Sequence, residues 1–194
     1  MNLAIIPARS GSTRLKNKNI LNFHGKPMIA WTIEAAKKSN IFDYILVSTD
    51  SKKISTISKK YGAKVPFLRD KKLSDNFTSV HDVSYDAILK LEEKTNINFK
   101  NIFQLMPNCP LRNYKDIKNF YRYFKKNNMS FLISCSKFYF SNPWWAFYKD
   151  NKNFKRLYPK FYNKRSQDLK ESFTPTGAIW VAKKKNFLKT KSFY

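Results

Sequence analysis

Short apolar runs alternate with segments of helical spacing along residues 1–136, and this alternation constrains the fold more than any other feature. The runs are LAII (3–6), YILVS (44–48), NIFQLM (101–106) and FLISCS (131–136). The first two are continuous and aliphatic or β-branched, as expected for strands covered on both faces. An order of strand, helix, strand, helix predicts right-handed crossovers and a mostly parallel sheet, with NIFQLM as a central strand.

Four amphipathic segments supply the helices between and after these strands. The first places Pro27 at the first helical position, and Ile29, Ile33 and Ala36 then share one face. The spacing predicts the other helices over 52–61, about 79–94 and 115–127. Gly62 is positioned to end the second of them.

The alternation stops at residues 137–176, which are aromatic, interrupted by proline and without a clean period. Trp144, Trp145, Phe147 and Tyr148 are more aromatic residues than a surface loop normally exposes, which indicates an interface. GAIWVA (177–182) then looks like a return to the sheet. We therefore predict an α/β domain made of residues 1–136 and 177–194, with 137–176 as an aromatic excursion from it.

The chain of 194 residues carries a formal charge of +25, which would suit a nucleic-acid partner. The lysines, however, are scattered at the ends of apolar segments, so a solvated surface is the favoured interpretation and nucleic acid an unlikely partner. Cys109 and Cys135 form no CxxC pair, which indicates a reducing compartment. The N-terminus enters a predicted strand directly, so we expect neither a signal peptide nor a membrane span there. We expect a soluble, cytoplasmic protein.

The loop PARSGSTRLKNKN (7–19) leaves the carboxyl end of the first strand, where open parallel sheets bind ligands. Gly11 permits close backbone approach, Ser12 and Thr13 offer hydroxyls, and the loop is basic. Its cations that could neutralise a triphosphate are Arg9, Arg14 and Lys18. Neither the Walker pattern nor GxGxxG is present. Composition alone leaves a phosphate-binding loop and a solvated basic turn both open.

The stretch IIPARSGSTRLKNKNILNFHGKPMI resembles the N-terminal signature of the acylneuraminate cytidylyltransferases, the CMP-sialic acid synthetase family. The matching positions are Pro7, Ala8, Arg9, Gly11, Ser12, Lys18, Asn19, Gly25, Lys26 and Pro27. Ser10, Thr13 and Lys16 depart from it, replacing glycine, lysine and proline. The likeness continues in order through VSTDSKKI, YGAKVPFLRDKKLSDNFTSVHDVSYDAI, FQLMPNCPLR, NKRSQDL and PTGAIWV.

This resemblance implies a three-layer, Rossmann-like nucleotidyltransferase fold of the nucleotide-diphospho-sugar transferase type. It implies that CTP activates a nine-carbon 2-keto acid sugar, a nonulosonic acid for cell-surface glycans, to the CMP-sugar and pyrophosphate. Arg9 and Lys18 would be catalytic, stabilising charge on the phosphates. The nucleotide-binding set it implies is Ala8, Arg9, Gly11, Ser12, Arg14, Lys18, Asn19, Arg69 and Ser79, and the sugar-binding set is Gln104, Arg165 and Gln167. The excursion would pack on a second subunit, giving a homodimer.

The resemblance also implies Mg²⁺, held in the family by an Asp-x-Asp segment beyond the final strands. No aspartate follows Asp168 here, and we identify no metal ligand in this span. Either the chain is C-terminally truncated, which we favour, or the substrate phosphates and another carboxylate hold the metal, or the chain is inactive.

Simpler interpretations stand beside these roles. Lys18 could be solvated, Gln104 could satisfy backbone groups between strands, and Arg69 could pair with Asp70 or Asp75 in a surface turn. Asp50 and Asp75 are expected to cap helices, and Trp144 and Trp145 to pack. His24 and His81 have no nucleophile beside them, so Ser-His-Asp catalysis is not expected.

Several functions remain alternatives to activation of a nonulosonic acid. The first is a 3-deoxy-manno-octulosonate cytidylyltransferase, because SGSTRL resembles the phosphate loop of that family. The others are a CTP-binding homologue without turnover and a basic nucleic-acid-binding module. The choice among neuraminic, legionaminic and pseudaminic acids stays open.

Overall fold

The computed structural model describes residues 1–12, 15–139 and 141–194. Its strands are β1 (Asn2–Pro7), β2 (Asn22–Phe23), β3 (Lys26–Pro27), β4 (Tyr44–Ser48), β5 (Asn101–Gln104), β6 (Phe131–Lys137), β7 (Phe147–Asp150), β8 (Asn153–Arg156) and β9 (Phe173–Lys183). Its helices are α1 (Met28–Ser39), α2 (Lys52–Lys60), α3 (Val80–Thr95), α4 (Tyr114–Lys126) and α5 (Lys184–Thr190). Among the described residues, no helix combines the length and the apolar composition that crossing a bilayer requires.

The main sheet has the strand order β4-β1-β5-β9-β6. β1 runs parallel to both neighbours, with Leu3 opposite Tyr44 of β4 and Ile102 of β5. β9 runs antiparallel to β5, with Val181 opposite Phe103. The predicted α/β fold and the central position of β5 are therefore confirmed, and β9 makes the mostly parallel sheet a mixed one.

Side chains of β1 alternate between two hydrophobic clusters because successive residues of a strand point to opposite faces. Ala4 and Ile6 join the cluster that contains Ile33 of α1. Ile5 joins the cluster that contains Leu91 of α3. Helices therefore cover both faces of the sheet, as the three-layer prediction requires, and its edge at the strand ends is left for the connecting loops.

The predicted helix positions hold to within one residue at most ends, and capping explains the differences. α3 begins at Val80 because the hydroxyl of Ser79 accepts the N–H of Asp82 at 3.1 Å. α2 ends just before Gly62, whose φ of +96° suits a glycine. The placement of Pro27 at the first helical position is wrong, because its ψ of 140° is extended and α1 starts at Met28.

A small hairpin that the sequence analysis did not predict leads the chain into α1. Strands β2 and β3 pair antiparallel, with Asn22 opposite Pro27. The two residues between the strands, His24 and Gly25, both have positive φ, at 48° and 83°. A two-residue hairpin turn of type I′ needs positive φ at both positions, which explains why glycine stands at 25.

Residues 1–133 and 177–194 form one unit of the structure and residues 134–176 form another. The second unit thus begins three residues before the predicted excursion and ends where predicted. It contains the antiparallel β7–β8 hairpin and an aromatic cluster. The Trp144 ring lies 5.3 Å from that of Tyr158 and 4.9 Å from that of Phe161, and Trp145 donates to Phe161 O at 3.2 Å. Trp144 and Trp145 are therefore packing residues, as expected.

Candidate active site

A cleft of about 590 Å³ opens beyond the carboxyl ends of β1 and β5. Its volume lies within the usual range for small-molecule sites. The walls come from the loop after β1, the segment before α3 and the residues after β5. The lining residues are Pro7, Arg9, Ser12, Leu15, Lys18, Asn19, Arg69, Leu73, Asp75, Asn76, Thr78, Val80, Val83, Met106, Pro107 and Asn108.

The loop after β1 is anchored at its base by hydrogen bonds of Ala8 and Asn19. Ala8 is fully buried and its N–H donates to Ser48 O at 2.9 Å, which extends the pairing of β1 with β4. Asn19 is also buried, and its Nδ2 donates to Arg9 O at 3.0 Å. No atom of the described residues lies within 4 Å of the position that a Cβ of Gly11 would take. Ala8 and Asn19 therefore support the loop, while Gly11 leaves room beside it.

In the part of the chain that the structure describes, three cationic side chains line this cleft: Arg9, Lys18 and Arg69. Arg9 and Lys18 are half-buried, and Arg9 donates to the backbone carbonyl of Asp75 across the cleft mouth. Guanidinium and ammonium groups at this position attract a polyphosphate and can neutralise charge that develops on it. Arg9, Ser12, Lys18, Asn19 and Arg69 are thus brought together as the nucleotide-binding prediction requires.

Arg69 is only 5% exposed, so its interpretation as a surface-turn residue is wrong. Its N–H donates to Thr49 O at 2.7 Å and its Nε to Ser74 Oγ at 3.0 Å, while Asp70 pairs instead with Lys90 at 2.7 Å. Burial lowers the pKa of Arg69, Asp50 opposes that shift, and the like charge of Arg9 adds to it. A buried cation beside another cation favours the binding of an anion between them.

Three other predicted nucleotide-binding residues that the structure describes, Ala8, Gly11 and Ser79, are not among the residues that line the cleft. Ser79 lies between Thr78 and Val80, which do line it, but its hydroxyl caps α3 and donates to Asp82 at 2.8 Å. Arg14, and with it the departing residue Thr13, lies outside the described residues, so its predicted role stays a prediction.

Gln104, predicted to contact the sugar, is fully buried at the end of β5. Its Oε1 accepts the hydroxyl of Ser84 at 2.7 Å, and its Nε2 lies 4.0 Å from the sulfur of Met106. The alternative that it satisfies backbone groups between strands is wrong, because its partners are side chains. Gln104 lies behind Met106, which lines the cleft, and its role toward a sugar stays a prediction.

A buried arginine that the sequence analysis did not single out secures the wall after β5. Arg112 donates to Met106 O at 3.3 Å, to Ala178 O of β9, and to Thr32 Oγ1 of α1 at 2.6 Å. Burial lowers its pKa to about 10, and no carboxylate forms an ion pair with it among the described residues. Arg112 thus joins three elements by charge-assisted hydrogen bonds.

Arg165 and Gln167, the other predicted sugar-binding residues, lie in the second unit and are exposed. Arg165 donates from Nε and Nη2 to the carboxylate of Asp168, at 2.8 and 3.2 Å. A sugar carboxylate would therefore have to replace Asp168 in this paired arrangement. The described residues that line the cleft all belong to the first unit.

Comparison with known proteins identifies the family. The family model described as cytidylyltransferase matches residues 3–178, a span that contains every residue lining the cleft. The chain belongs to the cytidylyltransferase family. It is 38% identical over 187 residues to a pseudaminic acid cytidylyltransferase of Campylobacter jejuni, covering 96% of this chain and 80% of that protein. It is 32% identical over 194 residues to a CMP-N,N'-diacetyllegionaminic acid synthase of Legionella pneumophila, covering 99% and 82%.

Solved structures agree with this family in fold. A CMP:2-keto-3-deoxy-manno-octonic acid synthetase complexed with CTP has a TM-score of 0.69 at 19% identity, covering 97% of this chain and 76% of that one. A cytidylyltransferase from Leptospira borgpetersenii has a TM-score of 0.59 at 20% identity, covering 100% and 64%. The resemblance noted from the sequence is therefore confirmed at the level of family and fold.

The expectation that Asp50 and Asp75 cap helices in this cytidylyltransferase is wrong. α2 is capped by Ser51, whose hydroxyl accepts the N–H of Ile54 at 3.3 Å. Asp50 accepts instead the backbone N–H and the hydroxyl of Ser10, at 2.9 and 2.6 Å. Asp75 closes its own turn by accepting the N–H of Thr78 at 2.6 Å, and it lines the cleft. Both aspartates therefore shape the site.

The residues that line the cleft without having been predicted include Asn76, Thr78 and Asn108. Sequence order does carry a signal for Asn108, since it follows β5 at the sheet edge where ligands bind. Asn76 and Thr78 lie in a turn before α3, whose approach to the loop after β1 depends on tertiary contacts.

The metal expected for the family finds no complete protein site in the described part of the chain. No three His, Cys, Asp or Glu side chains lie close enough there to hold an ion together. Magnesium therefore stays a prediction, and we derive no chemical step through it. His81 stacks on Trp180 at 5.4 Å, and burial lowers its pKa despite the charge of Asp82, so this half-buried histidine packs against the edge of the core.

Proposed function

We propose that this protein transfers a cytidylyl group from CTP to a nonulosonic acid, releasing pyrophosphate. The anomeric hydroxyl oxygen of the sugar bonds to the α-phosphorus, and the bond from that phosphorus to the bridging oxygen of the β-phosphate breaks. Pyrophosphate leaves and the hydroxyl proton is released. Such a reaction depends on positioning and on charge stabilisation more than on a covalent nucleophile.

The observation that carries the proposal is the meeting of Arg9, Lys18 and Arg69 at one cleft in a chain of this family. In the proposal these three cations bind the triphosphate, and Arg9 and Lys18 stabilise the charge that grows on the leaving pyrophosphate. Ser12 adds a hydroxyl donor in the same loop. The anchoring of that loop by Asn19 keeps the donors in place before the nucleotide binds.

For the sugar, we propose pseudaminic acid as the first substrate to test. The relative with 38% identity is named for pseudaminic acid, and a more distant one for a legionaminic acid. Either sugar brings a carboxylate, and in this proposal Arg165 leaves Asp168 to meet it with two parallel hydrogen bonds. The alternative sugar is 2-keto-3-deoxy-manno-octonic acid.

We propose that Mg²⁺ enters the site together with the nucleotide phosphates.

We further propose that the protein is a homodimer that uses residues 134–176. This unit exposes several large aromatic side chains, among them Tyr139 at 73% and Phe154 at 71%. Aromatic side chains exposed at this density are typical of protein interfaces.

The experiment is pyrophosphate release from CTP and Mg²⁺ with pseudaminic, legionaminic, N-acetylneuraminic and 2-keto-3-deoxy-manno-octonic acids, each also offered with UTP and ATP. We expect turnover with CTP and a nonulosonic acid, and a loss of about a hundredfold or more in Arg9→Ala and in Lys18→Ala. Lys115→Ala, an exposed lysine of α4 outside the cleft, is the matched control and keeps full activity.

Binding of CTP without pyrophosphate release from any sugar would instead identify a homologue without turnover. Salt-sensitive binding of nucleic acid, with no discrimination among free nucleotides, would favour the nucleic-acid alternative.

A further inference from the structure

Asp50, which follows β4, forms hydrogen bonds with one residue of the loop after β1, Ser10. Its Oδ1 accepts the backbone N–H of Ser10 at 2.9 Å and its Oδ2 accepts the Ser10 hydroxyl at 2.6 Å. Ser10 follows β1 and Asp50 follows β4, and the last paired residues of these parallel strands are Pro7 and Ser48. The carboxylate therefore extends the contact between these strands beyond their last paired residues, into the loop that follows β1.

Asp50 also lies beside a cation of the cleft. The backbone of Arg69 is bonded to Thr49, the residue before Asp50, and the charges of Asp50 and Arg69 interact. Burial alone would raise the pKa of Asp50, but the hydrogen bonds from Ser10 and the charge of Arg69 hold it below its ordinary value. The carboxylate is thus ionised and oriented, with one edge toward the loop.

We propose that Asp50 is a positioning residue for the nucleotide: by holding Ser10 with two hydrogen bonds, it sets the direction of the adjacent Arg9 and of the loop that receives the phosphates. This inference rests on the proposed function, because it concerns how the same cleft receives CTP. Asp50 itself does not line the cleft. Its influence passes through the backbone between Ser10 and Arg9.

The positioning role and simple charge repulsion predict opposite effects of removing Asp50 on the affinity for CTP. A carboxylate close to a polyphosphate site repels the ligand, so its removal should tighten the binding of CTP if its charge were all that mattered. If Asp50 positions the loop, its removal weakens binding, because the loop must then be ordered by the ligand. Substitutions that separate hydrogen bonds from charge can therefore decide between the two.

Three substitutions make this separation. Asp50→Ala removes both hydrogen bonds and the charge. Ser10→Ala removes only the 2.6 Å bond and leaves the charge. Asp50→Asn removes the charge, yet its oxygen can accept the Ser10 N–H and its amide can donate to the Ser10 hydroxyl. Asp116→Ala is the matched control, since Asp116 also accepts a backbone N–H, that of Asn113 at 2.8 Å, but in the cap of α4.

The first measurement is amide hydrogen exchange of the ligand-free protein. The Ser10 amide should exchange about tenfold faster in Asp50→Ala than in the wild type, and at close to the wild-type rate in Asp50→Asn. Exchange at Ser10 that is unchanged in Asp50→Ala overturns the proposal without any reference to CTP.

The second measurement is calorimetric binding of CTP in the presence of Mg²⁺. We expect about tenfold weaker binding by Asp50→Ala, a smaller loss in Ser10→Ala, and wild-type or tighter binding by Asp50→Asn and Asp116→Ala. Binding by Asp50→Ala that equals or exceeds that of the wild type overturns the proposal, as does an Asp50→Asn variant as weak as Asp50→Ala. If Asp50→Ala does not fold, CTP binding by Ser10→Ala tests the proposal instead, because Ser10 is exposed and its replacement should leave the fold intact. Binding by Ser10→Ala that equals that of the wild type then overturns the proposal. A wild type that fails to bind CTP refutes the proposed function, and the exchange measurement then still decides whether Asp50 holds the loop.

Discussion

Replacing Arg112 by methionine should destabilise the fold measurably, although no carboxylate of the described residues forms an ion pair with it. The guanidinium joins the segment after β5 to α1 and β9 by hydrogen bonds to Met106 O, Thr32 Oγ1 and Ala178 O. Methionine fills most of the volume of the arginine stem but donates to none of these oxygens. The variant therefore removes the polar connection while disturbing the packing as little as possible.

The magnitude follows from two opposing effects. Three hydrogen bonds from a charged donor contribute about 1.5 kcal/mol each, so their loss costs about 5 kcal/mol. Burial lowers the pKa of Arg112 from its ordinary value to about 10, and relief of that burial returns roughly 3 kcal/mol. The net destabilisation is about 2 kcal/mol, which corresponds to a fall of about 4–8 °C in Tm for a chain of this size.

Thermal unfolding followed by circular dichroism measures this change, with Arg122→Met as the control. Arg122 is exposed on α4 and donates only to Asn119 at 3.2 Å, so its replacement should alter stability by less than about 0.5 kcal/mol. If Arg112→Met melts no lower than Arg122→Met, the hydrogen bonds of Arg112 stabilise the fold no more than its burial costs, and the reasoning is refuted.

Other substitutions test separate parts of the structure. Burial holds the pKa of His81 below its ordinary 6.5, so the unfolded chain takes up this proton first, and stability should fall as the pH drops below about 6.5. His81→Phe keeps an aromatic ring against Trp180 and should remove this part of the pH dependence of the urea midpoint. Ser79→Ala should lower stability by about 1 kcal/mol in urea unfolding, because α3 loses its cap; an unchanged midpoint would contradict the capping role. Phe154→Ser should shift the protein toward the monomer in light scattering if residues 134–176 form the dimer contact, whereas Tyr123→Ser, exposed on α4, should leave the oligomeric state unchanged.

The elements of the first unit could be predicted because each is encoded locally. The continuous run YILVS matched β4 at both ends, and apolar spacing placed α2, α3 and α4 within about one residue. The β2–β3 hairpin was missed because each strand has only two residues, too few for any period to show. Its signal was the pair His24–Gly25, which suits a tight turn but was interpreted only as part of a family motif.

The basic residues of the site were predictable for a different reason. Arg9, Ser12, Lys18 and Asn19 occupy one continuous loop at the end of a strand, so that strand order and the family resemblance together were enough to locate them. Arg69 lies far along the chain, and only the resemblance assigned it to the nucleotide. Its burial beside Asp50 could not be inferred, since a lone arginine followed by an aspartate is typical of a solvated turn.

The polar side chains that support the site were misassigned or missed in the sequence analysis. Asp50 was taken for a helix cap because the residue before a helix is often an aspartate, yet its partner Ser10 lies 40 residues earlier in the chain. Arg112 likewise reaches Thr32 across 80 residues. Such pairs form because the order of the strands in the folded sheet brings distant residues together. A local sequence pattern does not contain this information. The cations of a phosphate site can therefore be inferred from a loop motif, whereas the groups that orient them must be found in the folded structure. Substitution of these orienting groups distinguishes an effect on positioning from an effect on charge.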